Sequence, residues 1–381
     1  MKRAKKILVL FIVAVCAIVN AYSVEIDGIY YTLQAATQTA FVTAAPQKDY
    51  TGEVVIPESV TYKDKEYKVT AIGVNAFRSN EGVVKVVIPA SVDSIASYAF
   101  YGAKNLEEVV MPNTVEVIGD YAFGQNASLK KADAPASLRK IGSYAFVNCT
   151  ALIKIEFSNL VEDFGSNVFL GCTNLKTVVL PSSITSIPKY TFYNCSSLET
   201  VTMPSSLEVI GTSAFEYCKV LKGLDLPASL NKIEARAFVC CKQITHVSLP
   251  DGVDTIHACT FQGCSSLSDV DFNNVICIGD YAFSPCPITK LDLNPNLDSI
   301  GVSAFQGCAA LTHIETPAAL KTTGKHSFAD CWGLLSADLK GMTTLNYKLF
   351  SGCFALEKVT LSKSVEDVSA TAFDRDSSLK Y

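Results

Sequence analysis

The chain has 381 residues, of which 49% are hydrophobic and 18% charged, and its formal net charge is −5. That apolar content excludes an intrinsically disordered chain, which lacks the hydrophobic groups needed to offset the entropy of ordering. The acidic balance argues against nucleic acid as a partner, because phosphate recognition requires a basic surface.

The chain opens with Met1-Lys2-Arg3-Ala4-Lys5-Lys6, a basic stretch, followed by an apolar run from Ile7 to Val19. Val19-Asn20-Ala21 places small or apolar residues where a signal peptidase reads, so residues 1–21 are expected to be a secretory signal peptide cut after Ala21. An uncleaved anchor is the alternative, but the run falls short of the ~20 residues a membrane span needs. Lipidation at Cys16 is a weaker one, because Val15 before it suits that processing poorly. Removing residues 1–21 takes away four basic and no acidic side chains, which moves the formal charge to −9. The expected location is secreted or cell-surface, with no membrane span in the mature chain.

Residues 22–72 stand out of register with the rest of the chain and are expected to form a β-rich N-terminal cap. Asp27-Gly28 is a turn signal ahead of alternating Ile29, Tyr31 and Leu33, and Thr39 to Ala44 suits a pairing strand. Val54 to Val60 resembles the strand and turn of a repeat, and Tyr62 to Tyr67 reads as a small charged hairpin. An array of repeats needs such a cap, since its first coil otherwise exposes an apolar end and an unpaired strand edge.

From residue 73 to 381 the chain repeats one phrase. An aromatic landmark recurs at Phe77, Phe100, Phe123, Phe146, Phe169, Phe192, Phe215, Phe238, Phe261, Phe283, Phe305, Phe328, Phe350 and Phe373, spaced by 23 residues ten times and 22 three times. This period, with a recurring L-x-x-V-x-L core, marks a β-rich leucine-rich-repeat solenoid of about 14 repeats. One parallel sheet face is expected from strands such as Leu175–Leu180, whose Val178 and Leu180 point inward. A Pro after the strand, as at Pro89, Pro112 and Pro181, ends each rung. The Ile-Gly pair then redirects the chain, and the x-x-Ala-Phe-x-x-Cys stretch returns it as a short helical or 3₁₀ turn with Phe buried. Single-residue deletions near Asn273-Asn274, between Cys286 and Ile288, and after Leu339 fall where turns absorb them. Leu379-Lys380-Tyr381 begins a further strand with no cap behind it. Either the chain is a fragment of a longer product or this edge is covered by a partner chain, which makes it a candidate for self-association.

Ten of the 14 cysteines lie three residues after the repeat Phe, at Cys149, Cys172, Cys195, Cys218, Cys241, Cys264, Cys286, Cys308, Cys331 and Cys353. They are expected to be free thiols in a buried ladder, because successive coils ~4.8 Å apart hold parallel Cβ vectors too far apart for disulfides. Cys240, Cys259 and Cys277 stand off this column and leave a disulfide open. The period also explains the Cys spacing without a metal, and no metal or other cofactor is expected. The four histidines, His246, His257, His313 and His326, lie in separate repeats without a nucleophile or an H-E-x-x-H pattern. With no phosphate loop and no nucleophile elbow, the chain is not expected to be an enzyme.

One outward strand column is unusual. From Asp225 through Ser248, Asp271, Asp292 and Glu315 to Asp338, five of six residues are acidic, and the neighbouring outward column carries His246, Asp269, Lys290 and His313. Two readings stand: a soluble sheet face that discourages aggregation, or an acidic stripe that binds a basic segment of a partner or a cation. Lys290 beside Asp292 and His313 beside Glu315 are expected to relieve repulsion in part. A second column, Tyr98, Tyr121, Tyr144, Tyr190 and Tyr281, reads as a packing ladder on the return side ahead of a ligand platform.

The phrase L-x-x-V-x-L-P-x-S-[LV]-x-x-I-G-x-x-A-F-x-x-C, as in Leu175–Cys195 and Leu198–Cys218, closely resembles the BspA-like leucine-rich repeat family. The resemblance covers about residues 50–381. It implies an exported adhesion or protein-binding role toward extracellular-matrix or host-cell proteins, and it carries over no catalytic or ligand-binding residues. The sequence shows no sorting signal or Ig-like attachment module of the kind many relatives carry. The expected function is therefore an exported protein-binding scaffold acting through the strand face, with a carbohydrate-binding or purely structural envelope array as the alternative. A glycan binder should display aromatic platforms on the strand face, where this sequence has acidic or aliphatic residues.

Overall fold

The computed structural model describes residues 23–46 and 49–380, so the expected signal peptide lies outside the described residues. The described chain is a helix-free β-solenoid of about 13 turns. It divides inside the repeat region into two compact units, Met1–Leu152 with Leu160–Gly165, and Ile153–Asn159 with Ser166–Tyr381.

The first unit starts with a three-stranded meander, whose first hairpin leads the chain, and a second, separate hairpin. Ser23–Ile26 and Ile29–Gln34 pair antiparallel across Asp27 (φ 50°) and Gly28 (φ 81°), the two left-handed residues that a type I′ turn requires. Thr39–Val42 pairs antiparallel with the second strand and parallel with Lys65–Ile72. The second hairpin, Ser59–Tyr62 with Lys65–Ile72, turns through Lys63 (φ 50°) and Asp64 (φ 61°). Tyr50 packs on Phe77 with ring centroids 4.8 Å apart. Its hydroxyl donates to the Thr43 carbonyl at 2.8 Å and accepts the Tyr30 N–H at 3.1 Å, which fixes the ring against the first repeat.

Most coils carry two strand segments. The first is the L-x-x-V-x-L strand: Val83–Val87 and Glu108–Val110 pair in parallel in the first unit, as do Lys154–Glu156, Thr177–Val179 and Thr200–Thr202 in the second. A second parallel ladder, additional to the expected sheet, is formed by the residues ahead of the Gly slot. Ser94–Ile95, Val117–Ile118, Lys140–Ile141 and Asp163–Phe164 build it in the first unit. The Ile-Gly pair is thus the end of a strand rather than a redirecting turn. The glycine serves close approach: a Cβ on Gly119 would lie 2.5 Å from the Ser97 nitrogen, and one on Gly301 2.5 Å from the Asp280 nitrogen.

The return side is a run of β-turns, where short helical or 3₁₀ turns are expected from the sequence. The cause is a left-handed residue two positions before and two after most repeat Phe residues, such as Tyr98 (φ 60°) and Gly102 (φ 71°), or Ser303 (φ 52°) and Gly307 (φ 75°). A left-handed residue interrupts any right-handed helix. The backbone N–H groups then alternate in direction. Tyr98, Phe100 and Gly102 donate to Asp120, Ala122 and Gly124 of the next coil at 2.9, 2.7 and 2.8 Å. Ala99, Tyr101 and Ala103 donate to Ala96, Tyr98 and Phe100 of their own coil at 3.3, 3.1 and 3.2 Å. The second unit repeats the scheme, with Ser303, Phe305 and Gly307 donating to Lys325, Ser327 and Ala329 at 2.9 Å. Every N–H from Tyr98 to Ala103 thus has an acceptor, as low-dielectric burial demands.

The repeat Phe rings fill the coil interior. In the first unit Phe77, Phe100, Phe123 and Phe146 stack with centroids 4.9–5.1 Å apart and planes within 9°. In the second, the file from Phe169 to Phe373 stacks at 5.2–5.7 Å. Each ring therefore adds an aromatic contact to the area it buries.

Cys240, Cys259 and Cys277 form no disulfide, and the column after Phe is buried. Nine thiols of that column also act as donors: Cys149, Cys195, Cys218, Cys241, Cys264, Cys286, Cys308, Cys331 and Cys353 each reach the carbonyl of the Phe one coil earlier, at 3.0–3.4 Å. In the first unit the Phe100 carbonyl takes the Ala103 N–H of its own coil, and a carbonyl with two lone pairs has room for a second donor. Burial pushes the Cys149, Cys264 and Cys308 thiols up to about 12.

Two non-cysteine occupants of this slot show what the thiol contributes. Asn126 is fully buried, and neither its amide nitrogen nor its carbonyl oxygen has a hydrogen-bond partner. Replacing it by Cys removes two orphaned polar atoms and supplies a donor toward the preceding coil, so Asn126→Cys should raise stability by ~1–3 kcal/mol. An upward shift in the urea unfolding midpoint is the expected reading.

Asp376 accepts the Cys353 N–H at 2.8 Å through Oδ1, while its Oδ2 is buried without a partner. Burial pushes its carboxyl up to about 7, against an unfolded value of ~3.9. A carboxyl with a raised folded pKa binds its proton more tightly in the folded state, so its stabilising contribution is complete below ~3.9 and is lost as pH rises through about 7. Amide protection in Leu356–Ala372, corrected for intrinsic exchange, should therefore fall between pH 5 and pH 8, and Asp376→Asn should flatten that dependence.

Candidate interaction face

The outward side chains of the L-x-x-V-x-L strands form the face on which the sequence places its candidates. In the first unit this face is a ladder of opposite charges. Glu53, Lys85, Glu108 and Lys131 occupy one register, with Lys85 to Glu53 at 3.1 Å, Lys85 to Glu108 at 3.9 Å and Lys131 to Glu108 at 3.3 Å. These groups are solvated, so the pairs contribute little to stability.

All eight candidate residues belong to the second unit, and its strand ladder is broken in two places. Lys154–Glu156, Thr177–Val179 and Thr200–Thr202 form one group, His246–Ser248 with Asp269–Asp271 another, and His313–Thr316, Ser336–Leu339 and Lys358–Leu361 a third. Asp225 lies in the first gap, where Gly223 replaces a side chain that favours a strand. Lys290 and Asp292 lie in the second, in the coil shortened by one residue between Cys286 and Ile288. His246, Asp271, His313, Glu315 and Asp338 are on paired strands. The geometry brings them together in two clusters rather than one stripe.

In the middle group, His246 Nδ1 lies 2.8 Å from the Asp269 carboxylate and its Nε2 3.6 Å from that of Asp271. Asp269↔His246 and Asp271↔Ser248 are direct cross-strand partners, so the imidazole spans two acids on the next coil. In the last group, Glu315 faces Asp338 across the ladder. Glu315 pairs with Lys340, a residue in the turn after Leu339, and His313 adds a weaker attraction. The Lys340 ammonium holds the Glu315 carboxyl below its usual range. His313 Nδ1 instead bonds the Ser336 hydroxyl at 2.8 Å. Lys290 pairs with Asp292 as expected. Among the described residues no group of acids, histidines or cysteines has the geometry to hold a metal ion.

An apolar feature beside the last cluster escapes a column-by-column reading. Trp332, the only tryptophan, is 58% exposed, Phe354 in the same slot of the next coil 46%, and Leu335 49%. Both aromatics directly follow a column cysteine, Cys331 or Cys353, in a slot that elsewhere holds Thr150, Ser196 or Lys219. That change of residue type within one slot is the signal the sequence carried.

The tyrosine column behaves differently in the two units. In the first, Tyr98, Tyr121 and Tyr144 stack at 4.9 and 4.6 Å, and the Arg78 guanidinium lies over Tyr98 at 5.2 Å. In the second, the slots on either side of Tyr190 hold Asn167 and Ser213, so Tyr190 has no stacked neighbour from its column.

A family model for the BspA type leucine rich repeat region matches the chain in six copies, over residues 70–199, 185–308 and 272–380. No curated protein matches it. Among solved structures, a leucine-rich repeat protein from Bacteroides ovatus is 26% identical and superposes with a TM-score of 0.71 over 94% of both chains. A leucine rich cell surface protein from Faecalibacterium prausnitzii is 25% identical with a TM-score of 0.54, over 90% of this chain and 95% of its own. On the matched residues and the coil geometry, the chain belongs to the BspA-type leucine-rich repeat family.

Proposed function

We propose that this protein is an exported adhesin-type scaffold, secreted or held at the cell surface, that binds an extracellular-matrix or host protein through the strand face of its second unit. The observation that carries this reading is the juxtaposition at the Ser336–Leu339 strand. Solvated Glu315 and Asp338 stand on paired strands, and the turns that lead into Ser336–Leu339 and Lys358–Leu361 expose apolar surface at Trp332, Leu335 and Phe354. An exposed tryptophan with an aliphatic and an aromatic neighbour, bordered by charge, matches the anatomy of a protein-binding patch. The ladder fixes the backbone of Glu315 and Asp338 in advance, so little backbone freedom is lost there on association. Similarity to the cell surface protein from Faecalibacterium prausnitzii supports the location, as do the basic and apolar features of residues 1–21. Among the described residues, no helix is long and apolar enough to cross a membrane. The scaffold belongs to a repeat family, not to an enzyme family.

The acidic cluster selects a partner with a basic segment and gives binding a salt dependence. Residues 22–381 should bind at least one member of a panel of purified extracellular-matrix proteins in biolayer interferometry. Changing Asp271, Glu315 and Asp338 together to Lys should weaken that binding at least tenfold at an unchanged unfolding midpoint, and Trp332→Ala should weaken it independently of salt. Binding that survives both variants would remove the strand face from the interaction.

A further inference from the structure

The second unit holds a cleft of about 380 Å³ on the return side, away from the strand face. Its origin lies in the interrupted tyrosine column. Tyr98, Tyr121 and Tyr144 in the first unit cover one another ring on ring. Asn167 and Ser213 beside Tyr190 supply no ring, and space opens between coils along its wall. Tyr193 meets Tyr190 edge-on at 5.8 Å and is itself braced by Tyr217 at 5.7 Å, so the aromatic wall is held in place.

The polar lining is unusual for a surface that only packs. Glu216 is 2% exposed, and Arg236 from the next coil reaches it with two hydrogen bonds, Nε to Oε2 at 3.1 Å and Nη2 to Oε1 at 2.6 Å. The guanidinium remains half exposed at the cleft. Ser213 is 0% exposed, lines the same cleft, and its hydroxyl has no hydrogen-bond partner. A buried hydroxyl left unpaired is costly, and a ligand hydroxyl offered to it recovers that cost.

We propose that this cleft binds a neutral pyranose unit of a glycan. Tyr190 offers ring surface without a stacked neighbour, suited to the apolar C–H face of a sugar ring. Ser213 both donates and accepts, Arg236 has N–H groups beyond the two that Glu216 engages, and each carboxylate oxygen keeps a second lone pair. These groups complement adjacent sugar hydroxyls, which also donate and accept. Because the Glu216 and Arg236 charges cancel, the site selects a neutral ring over an anionic one. No residue of the cleft belongs to the proposed protein-binding face, so either assignment can fail without the other.

The test is saturation-transfer NMR on residues 22–381 with glucose, galactose, mannose and N-acetylglucosamine as free probes. At least one sugar should receive saturation at its ring protons. Ser213→Tyr, which restores the residue found in this slot at Tyr98, Tyr121 and Tyr144, should fill the cleft and weaken binding more than tenfold at an unchanged unfolding midpoint. Tyr190→Ser, which copies Ser213 and Ser303 in the same slot, removes the ring surface and should also weaken binding more than tenfold, which decides the matter if the tyrosine variant does not fold. Absence of transfer to all four sugars, or transfer that persists in the folded variant, would overturn the proposal.

Discussion

A coil of 23 residues has no interior of its own, so every buried group that its own turns leave unsatisfied must be satisfied by the coil before or after it. Inter-coil register is the constraint on which the other features depend. The N–H groups of Tyr98, Phe100 and Gly102 point at the next coil because left-handed residues at Tyr98 and Gly102 turn alternate peptides outward. The same alternation places Phe100 over Phe123 at 5.1 Å and leaves no room for a side chain at Gly119. A 22-residue coil keeps this register only by losing a residue where no such bond is made. The coil shortened between Cys286 and Ile288 instead loses its first strand segment, and Asp292 sits outside the sheet as a result. Stability is then built from neighbour terms, as in other stacked arrays.

Much of this was legible because it depends on residue type at a fixed interval. The Phe file, the buried Cys column and the two N-terminal turns could all be read from spacing and from Asp27-Gly28 or Lys63-Asp64 between strands. What escaped depends on backbone direction. Nothing about a thiol at Cys195 shows that it faces the Phe169 carbonyl. The left-handed slots hold Tyr98, Arg236, Cys259 and Lys348, residues with no preference for that conformation, so turn propensity gave no warning there. They are held by the inter-coil bonds, which override local preference.

The candidate face was legible in composition but not in geometry. Counting acids from Asp225 to Asp338 predicts a stripe, while Gly223 and the shortened coil divide it and leave paired clusters. The partner of Glu315 was missed because Lys340 sits in a turn that deletion has moved out of register. Conversely, the gap in the tyrosine column at Asn167 and Ser213 was visible as missing letters, and only the structure shows that the missing rings leave a lined cleft.

The thiol file has a chemical consequence. A cysteine reacts with oxidants and alkylating agents as its thiolate, and burial holds Cys218, Cys241 and Cys286 as S–H far above neutrality. Each column thiol is therefore inert while it stays closed against the carbonyl behind it. Opening a coil releases its column thiol at a known position. The order in which the column cysteines are modified under native conditions is thus a record, one coil at a time, of where this solenoid opens first.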